Sequence, residues 1–178
     1  MNWNLFKERT QKLWLDKDIY SNVSGYQIQP GTTWNEGLSK EEIQSFESIV
    51  GFTFPNQYKE MLSTLNGFDR ECIAVEYDDE ENEEEFFDHR FYLMPDHWNK
   101  AQWLIDEISE NKKYVFKALA EFPVSSIVGF IPIYGHRAMV VFEDSSLSPV
   151  ISVWGSDIIL YGKDLYTYLN KEFIEREY

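Results

Sequence analysis

One cysteine, Cys72, in 178 residues leaves no internal disulfide and suits a reducing compartment. Basic residues are few: 16 Lys and Arg against 31 Asp and Glu give a formal charge of −15. Nucleic-acid binding relies on cationic groups that displace counterions from phosphates, and an anionic membrane surface repels a chain of this sign, so neither is expected as a partner. Long apolar runs are missing as well. No stretch has the uninterrupted length of a membrane span, and the first residues, MNWNLFKERTQKLW, lack the basic start and apolar run of a secretory signal. The expectation is a soluble, cytoplasmic protein.

Catalytic motifs are also missing. There is no G-x-S-x-G elbow, P-loop or dinucleotide-binding glycine motif. Asp88-His89 and Asp96-His97 repeat a pair of metal-binding residue types, but their spacing matches no compact ligand motif, and His136 lies in a Gly135-His136-Arg137 turn. The acidic tract lacks the alternating ligands and central glycine of a calcium-binding EF-hand. No catalytic residue, metal or cofactor is therefore expected, and a metal-dependent enzyme is the weakest functional reading.

What is present is apolar material: 43% hydrophobic and 17% aromatic residues fill one core. With no internal repeat and no Ser/Gly linker, residues 1–178 read as a single domain. Within residues 2–20, Trp3, Phe6, Leu13 and Trp14 fall at the spacing of one helix face. Residues 36–67 are the most legible stretch. Ser39 and Glu42 form a capping box, with Leu38 and Ile43 at the flanking staple positions. The helix presents Ile43, Phe46, Ile49 and Val50 and stops at Gly51, with Phe52 folding back onto Phe46. Pro55 opens a second helix through Tyr58, Met61, Leu62 and Leu65, which Asn66-Gly67 ends.

Residues 70–94 read as a strand pair, 72–77 and 86–94, with the acidic tract between them as a loop. Residues 95–111 read as a helix capped by Asp96 and carrying Trp98, Ala101, Leu104, Ile105 and Ile108, whereas 112–126 suit either state. Within residues 128–161, four short strands (129–134, 138–143, 150–154 and 158–161) are joined by turns short enough to make them antiparallel neighbours. Asp164 caps a C-terminal helix over 164–176 with Leu165, Tyr168, Leu169 and Phe173 on one face. The sum is an α+β fold: a mostly antiparallel sheet of about five to six strands, with N-terminal helices and a C-terminal helix packed around it.

The run GLSKEEIQSFESIVGFTFPNQYKEMLSTLNG, residues 37–67, resembles the signature of the SUKH superfamily, to which a fungal cell-wall-assembly regulator and many bacterial toxin-immunity proteins belong. The matching positions are Glu42, Glu47, Gly51, Phe54, Pro55, Tyr58 and Asn66-Gly67. GFIPIYGHRAMVVFED, PVISVWG and the terminal helix continue the likeness more loosely. The resemblance implies an α+β fold, a role in protein binding, and structural rather than chemical roles for Gly51, Pro55, Tyr58, Asn66 and Gly67. Bacterial members are often immunity proteins that block a toxin, frequently a nuclease, encoded beside them.

The tract EYDDEENEEEFFD, residues 76–88, holds nine carboxylates and no Lys or Arg. Such a surface suits a cationic enzyme groove, so the expected partner is a cognate, basic toxin domain. Asp78, Asp79, Glu80, Glu81, Glu83, Glu84 and Glu85 are the candidate partner-binding residues, with Trp98 and Trp103 as apolar anchors. The competing account of the tract is a solvated loop that blunts a sheet edge. The competing function is an intracellular scaffold or regulator, although the long disordered flanks typical of the fungal relatives are not evident here. Of the six tryptophans, Trp3, Trp34 and Trp98 lie near loops or ends and are candidates for exposure.

Overall fold

A computed structural model describes residues 2–20, 25–77, 83–88 and 90–175, with 74–77 and 83–86 as backbone. Helix α1 (Trp3–Trp14) begins at Asn2, whose side chain accepts the Leu5 N–H at 2.9 Å. Its buried face is Trp3, Phe6, Thr10 and Trp14, while Leu13, expected on that face, is 53% exposed. Thr10 belongs inside for a tertiary reason. Its hydroxyl accepts the Trp34 indole N–H at 2.8 Å and donates to the Phe6 carbonyl at 2.9 Å, so a buried tryptophan keeps a partner. Trp3 and Trp34 are each only 4% exposed, which removes both from the candidates for exposure.

Two short strands, β1 (Tyr26–Gln27) and β2 (Trp34–Glu36), lead to α2 (Lys40–Val50). The helix rests on Ile43 and Phe46, with Ile49 turned to solvent, and Phe54 rather than Phe52 meets the Phe46 ring edge-on at 4.9 Å. Helix α3 (Asn56–Leu62) follows Pro55, which sits just outside the helix instead of at its first position. It also ends earlier than its apolar period suggests. Leu65–Phe68 is strand β3, paired antiparallel with β2, so Asn66 and Gly67 lie in a strand and do not end a helix. Pairing with a distant segment has overridden the local i, i+3, i+4 spacing.

The acidic stretch brings the second correction. After β4 (Cys72–Tyr77), the return strand β5 is Glu83–Asp88, not 86–94. Beyond Asp88 the chain makes one isolated bridge, Phe91 to Tyr134, and then a run of turns. Helix α4 (Gln102–Glu110) therefore starts after Ala101, without a side-chain cap, and Asp96 caps nothing there. The turns replace the helix because the local groups are taken: His97 Nδ1 accepts the Leu93 N–H at 3.2 Å, and both main-chain groups of Met94 bond to Asn66. Helix α5 (Lys112–Ala118) resolves the ambiguous segment.

Strands β6 (Ile127–Tyr134), β7 (Arg137–Phe142), β8 (Val150–Trp154) and β9 (Asp157–Gly162) form an antiparallel meander, and α6 (Leu165–Asn170), capped by Asp164, runs into a wider π-type turn over Lys171–Glu175. The strands do not make one sheet. Among the described residues they form three: β1-β4-β5, β2-β3 and β6-β7-β8-β9. The last is covered on both faces, which is why RAMVVF and VISVW are apolar almost without a break. Met139, Val141 and Val150 meet an aromatic core shared with α1, α2, α3 and α6, whereas Ala138, Val140, Ile151 and Val153 meet an aliphatic one under α4 and α5. This is the α+β architecture, with helices on both sides of its main sheet.

Candidate partner-binding surface

The signature residues are occupied in holding the fold. Ser39 and Glu42 cap α2 reciprocally: the Ser39 N–H donates to the Glu42 carboxylate at 2.7 Å and the Glu42 N–H to the Ser39 hydroxyl at 3.2 Å. The Ser39 hydroxyl, which also donates to that carboxylate at 2.7 Å, and after it the Ser39 N–H hold the Glu42 carboxyl below its ordinary range. Gly51 takes φ 85°, the left-handed conformation that ends the helix. Glu47 then spans the turn, accepting the Phe54 N–H at 2.6 Å and pairing with Lys59 at 2.8 Å. Tyr58 is buried against Phe54, ring centroids 5.2 Å apart, and burial drives its hydroxyl well above the usual phenol range. Asn66 bonds Met94 twice, donating to its carbonyl at 2.6 Å and accepting its N–H at 3.0 Å. Gly67, at φ 69°, lies so close to Leu93 that a Cβ there would sit 2.9 Å from the Leu93 Cα.

The acidic tract is not a loop throughout. β4 and β5 pair from Cys72 opposite Asp88 to Tyr77 opposite Glu83, which puts Glu83, Glu84 and Glu85 on a strand. Asp78, Asp79, Glu80 and Glu81 lie outside the described residues. The register sets Glu76 opposite Glu84. In the order β1-β4-β5 the acidic strand is last, so its outer edge has no strand partner among the described residues. The root of the hairpin is anchored: Asp88 lies 3.4 Å from the Arg90 Nε, and the Arg90 guanidinium lies over the Tyr26 ring at 3.5 Å. Phe87, beside this root, is 53% exposed.

From the root the chain reaches one end of the four-stranded sheet. The Gly135 N–H donates to the Arg90 carbonyl at 2.8 Å, and the Tyr92 hydroxyl donates to the Gly135 carbonyl at 3.0 Å. His136, in the same turn, bonds the neighbouring Arg137, whose guanidinium lies over the Tyr161 ring at 4.2 Å. Burial, followed by the charges of Arg137 and Arg90, pulls His136 down to about 4, so its ring is neutral at pH 7. Trp154, the last residue of β8, stands edge-on to His136 at 5.6 Å and is 73% exposed, more than any other large apolar side chain among the described residues. Sequence reasoning passed over Trp154. The available signal was its place, immediately before the Gly155-Ser156 turn, where a strand residue runs out of neighbours.

The expected anchors differ in placement. Trp103, 43% exposed on α4, lies near the Tyr92 hydroxyl, and one turn further Glu107 accepts the Gly155 N–H at 2.6 Å. Trp103 and Trp154 are thereby brought to the same end of the sheet. Trp98 is half-buried, its ring edge-on to Phe46 at 5.6 Å. Arg, Trp and Tyr are the residue types that dominate interface energetics, and this end of the molecule gathers all three.

Among the described residues no three His, Cys, Asp or Glu side chains converge on a cation position, and no helix is long and apolar enough to cross a membrane. Of the two Asp-His pairs, His89 lies outside the described residues, and Asp96 is exposed beside His97 in the turns before α4. The Cys72 thiol is buried and pushed up to about 12, chiefly by that burial, which marks an inert core residue.

A model of the SMI1 / KNR4 family (SUKH-1) matches residues 37–173, from the turn before α2 to the buried ring of Phe173, with the acidic hairpin inside the matched stretch. Comparison with curated proteins finds no match.

Proposed function

Because this chain belongs to the SMI1 / KNR4 family (SUKH-1), a family of protein-interaction domains, we propose that it is an immunity protein that acts in the cytoplasm by binding a basic toxin domain and blocking it without catalysis. The observation that carries this reading is the acidic hairpin. Nine carboxylates and no Lys or Arg fall within residues 76–88, and Glu76, Glu83, Glu84, Glu85 and Asp88 among them lie on strands β4 and β5, with β5 last in its sheet. A run of like charge with no cation within it points to a use outside the fold.

Its negative potential steers a cationic groove toward the molecule and aligns the two surfaces on encounter. Toxic nucleases need such grooves to hold phosphates, so a carboxylate-rich strand competes for the same surface. Asp78, Asp79, Glu80, Glu81, Glu83, Glu84 and Glu85 supply the charge. Trp103 and Trp98 supply apolar contact, with Trp154 added by its exposure.

The test is co-expression and co-purification with the toxin domain encoded beside the chain, followed by replacement of those seven acids with Gln or Ser. The association rate at low salt is expected to fall by about 10-fold or more and to approach the unaltered protein's at high salt. An unchanged rate at low salt removes the hairpin from the mechanism.

A further inference from the structure

Strand β9 closes the four-stranded sheet on one side, and among the described residues no strand pairs with its outer edge. Its sequence, DIILYG, carries no charge between Asp157 and Lys163, and Ile159 is 48% exposed. An apolar edge of this kind templates pairing with another chain unless a charge, a proline or a covering element blunts it. Here α5 stands beside the edge without closing it. An open groove of about 390 Å³ separates Tyr114, Lys117 and Ala118 from residues 156–160.

The register decides which main-chain groups face the groove. Trp154 and Asp157 flank the two-residue Gly155-Ser156 turn, and in a hairpin that pair exchanges hydrogen bonds. The next pair, Val153 and Ile158, is a non-hydrogen-bonded one, because the Val153 N–H donates the other way, to the His136 carbonyl at 3.0 Å. The N–H and C=O of Ile158 therefore point away from β8, as do those of Leu160 two residues on.

We infer that this edge pairs with β9 of a second copy of the chain, antiparallel, about a two-fold axis at Ile159. Ile158 then exchanges its bonds with Leu160 of the second copy, and Ile159 faces Ile159 of the second copy. Asp157 lies diagonal to Lys163 of the second copy at both ends, within the roughly 7–8 Å reach of diagonal cross-strand neighbours. Main-chain bonding, apolar contact and charge all match in this register. A basic partner fits this edge poorly, since Lys117 of α5 lines the groove and Lys163 follows the strand. The inference stands apart from the toxin reading.

Light scattering on the full chain alone reads the outcome. The expected mass is twice 21.2 kDa, falling to the single-chain value in Ile159→Lys. Because Ile159 is on the surface, that variant keeps the circular dichroism of the unaltered protein. A positional check uses cysteine: Ile159→Cys forms an intermolecular disulfide on oxidation, since facing residues of a non-hydrogen-bonded pair lie within disulfide reach, whereas Asp157→Cys does not. A single-chain mass for the unaltered protein at micromolar concentration, a dimer that survives Ile159→Lys, or equal cross-linking from both cysteine positions overturns it.

Discussion

Residues 37–68 and residues 72–88 are adjacent in the chain and opposite in how their polar groups are used. In the first, Ser39, Glu42, Glu47 and Asn66 each close a bond that a helix end, a turn or a strand crossing would otherwise leave open. In the second, carboxylates accumulate without a Lys or Arg within the segment, and several of them lie on an outer strand. A polar side chain with a partner inside the molecule accounts for the fold. A run of like charge on an outer strand has to be accounted for by what lies outside. The two segments should therefore answer substitution in opposite ways, stability in the first and association in the second.

The largest effect is expected at Asn66. Asn66→Ala strands the N–H and C=O of buried Met94, and two unsatisfied main-chain groups cost about 2–4 kcal/mol together. Gly67→Ala adds strain at φ 69° and a contact with the Leu93 main chain, a loss of about 1–3 kcal/mol. Urea unfolding of each variant measures both. Losses under about 0.5 kcal/mol at both positions would put the signature segment in the same class as ordinary surface.

A smaller effect is expected where the hairpin root meets the main sheet. His136 is held at about 4 against an ordinary 6.5, so between those values the unfolded chain takes up a proton that the folded chain refuses. Stability from this group is intact above pH 6.5, declines as the pH falls, and is gone by about pH 4. For a half-exposed ring, solvent screening reduces the loss between pH 7 and pH 5 to about 1 kcal/mol. Thermal melts at the two pH values should show a smaller drop in His136→Gln than in the unaltered protein. Equal drops would mean that burial and the two arginines do not depress the ring.

Local rules made much of this fold legible. The capping box, the glycine stop of α2, the Asp164 cap and the four strands of the meander all depend on neighbours a few residues away. The misread elements depend on distant partners. Tyr58, Met61, Leu62 and Leu65 continue a helical period, yet β2 claims Leu65 and Met94 claims Asn66. Thr10 is buried because of Trp34, and a glutamate-rich segment becomes strand β5 because β4 lies beside it. The family match begins at residue 37, but Trp3, Phe6, Trp14 and Trp34, before it, fill the same core as Phe173. At the candidate site the charge was visible in the sequence. The placement of Trp103 and Trp154 toward the same end of the sheet was not, since it follows from contacts of Tyr92 and Glu107 across the fold.

The smallest stability change separates the two segments most sharply. Glu84→Gln removes one carboxylate from the acidic strand β5 and leaves the backbone pairing alone. Removing one negative charge from a chain of net charge −15 should raise stability by a few tenths of a kcal/mol, and chemical denaturation at low salt is where it shows. At Asn66 the change in stability is large and unfavourable; here it is slight and favourable, while the association rate with a basic partner goes down. A loss of more than about 0.5 kcal/mol in Glu84→Gln would mean that the carboxylate is held by the fold. The hairpin would then belong with residues 37–68 as structure, and its charge would no longer argue for a partner.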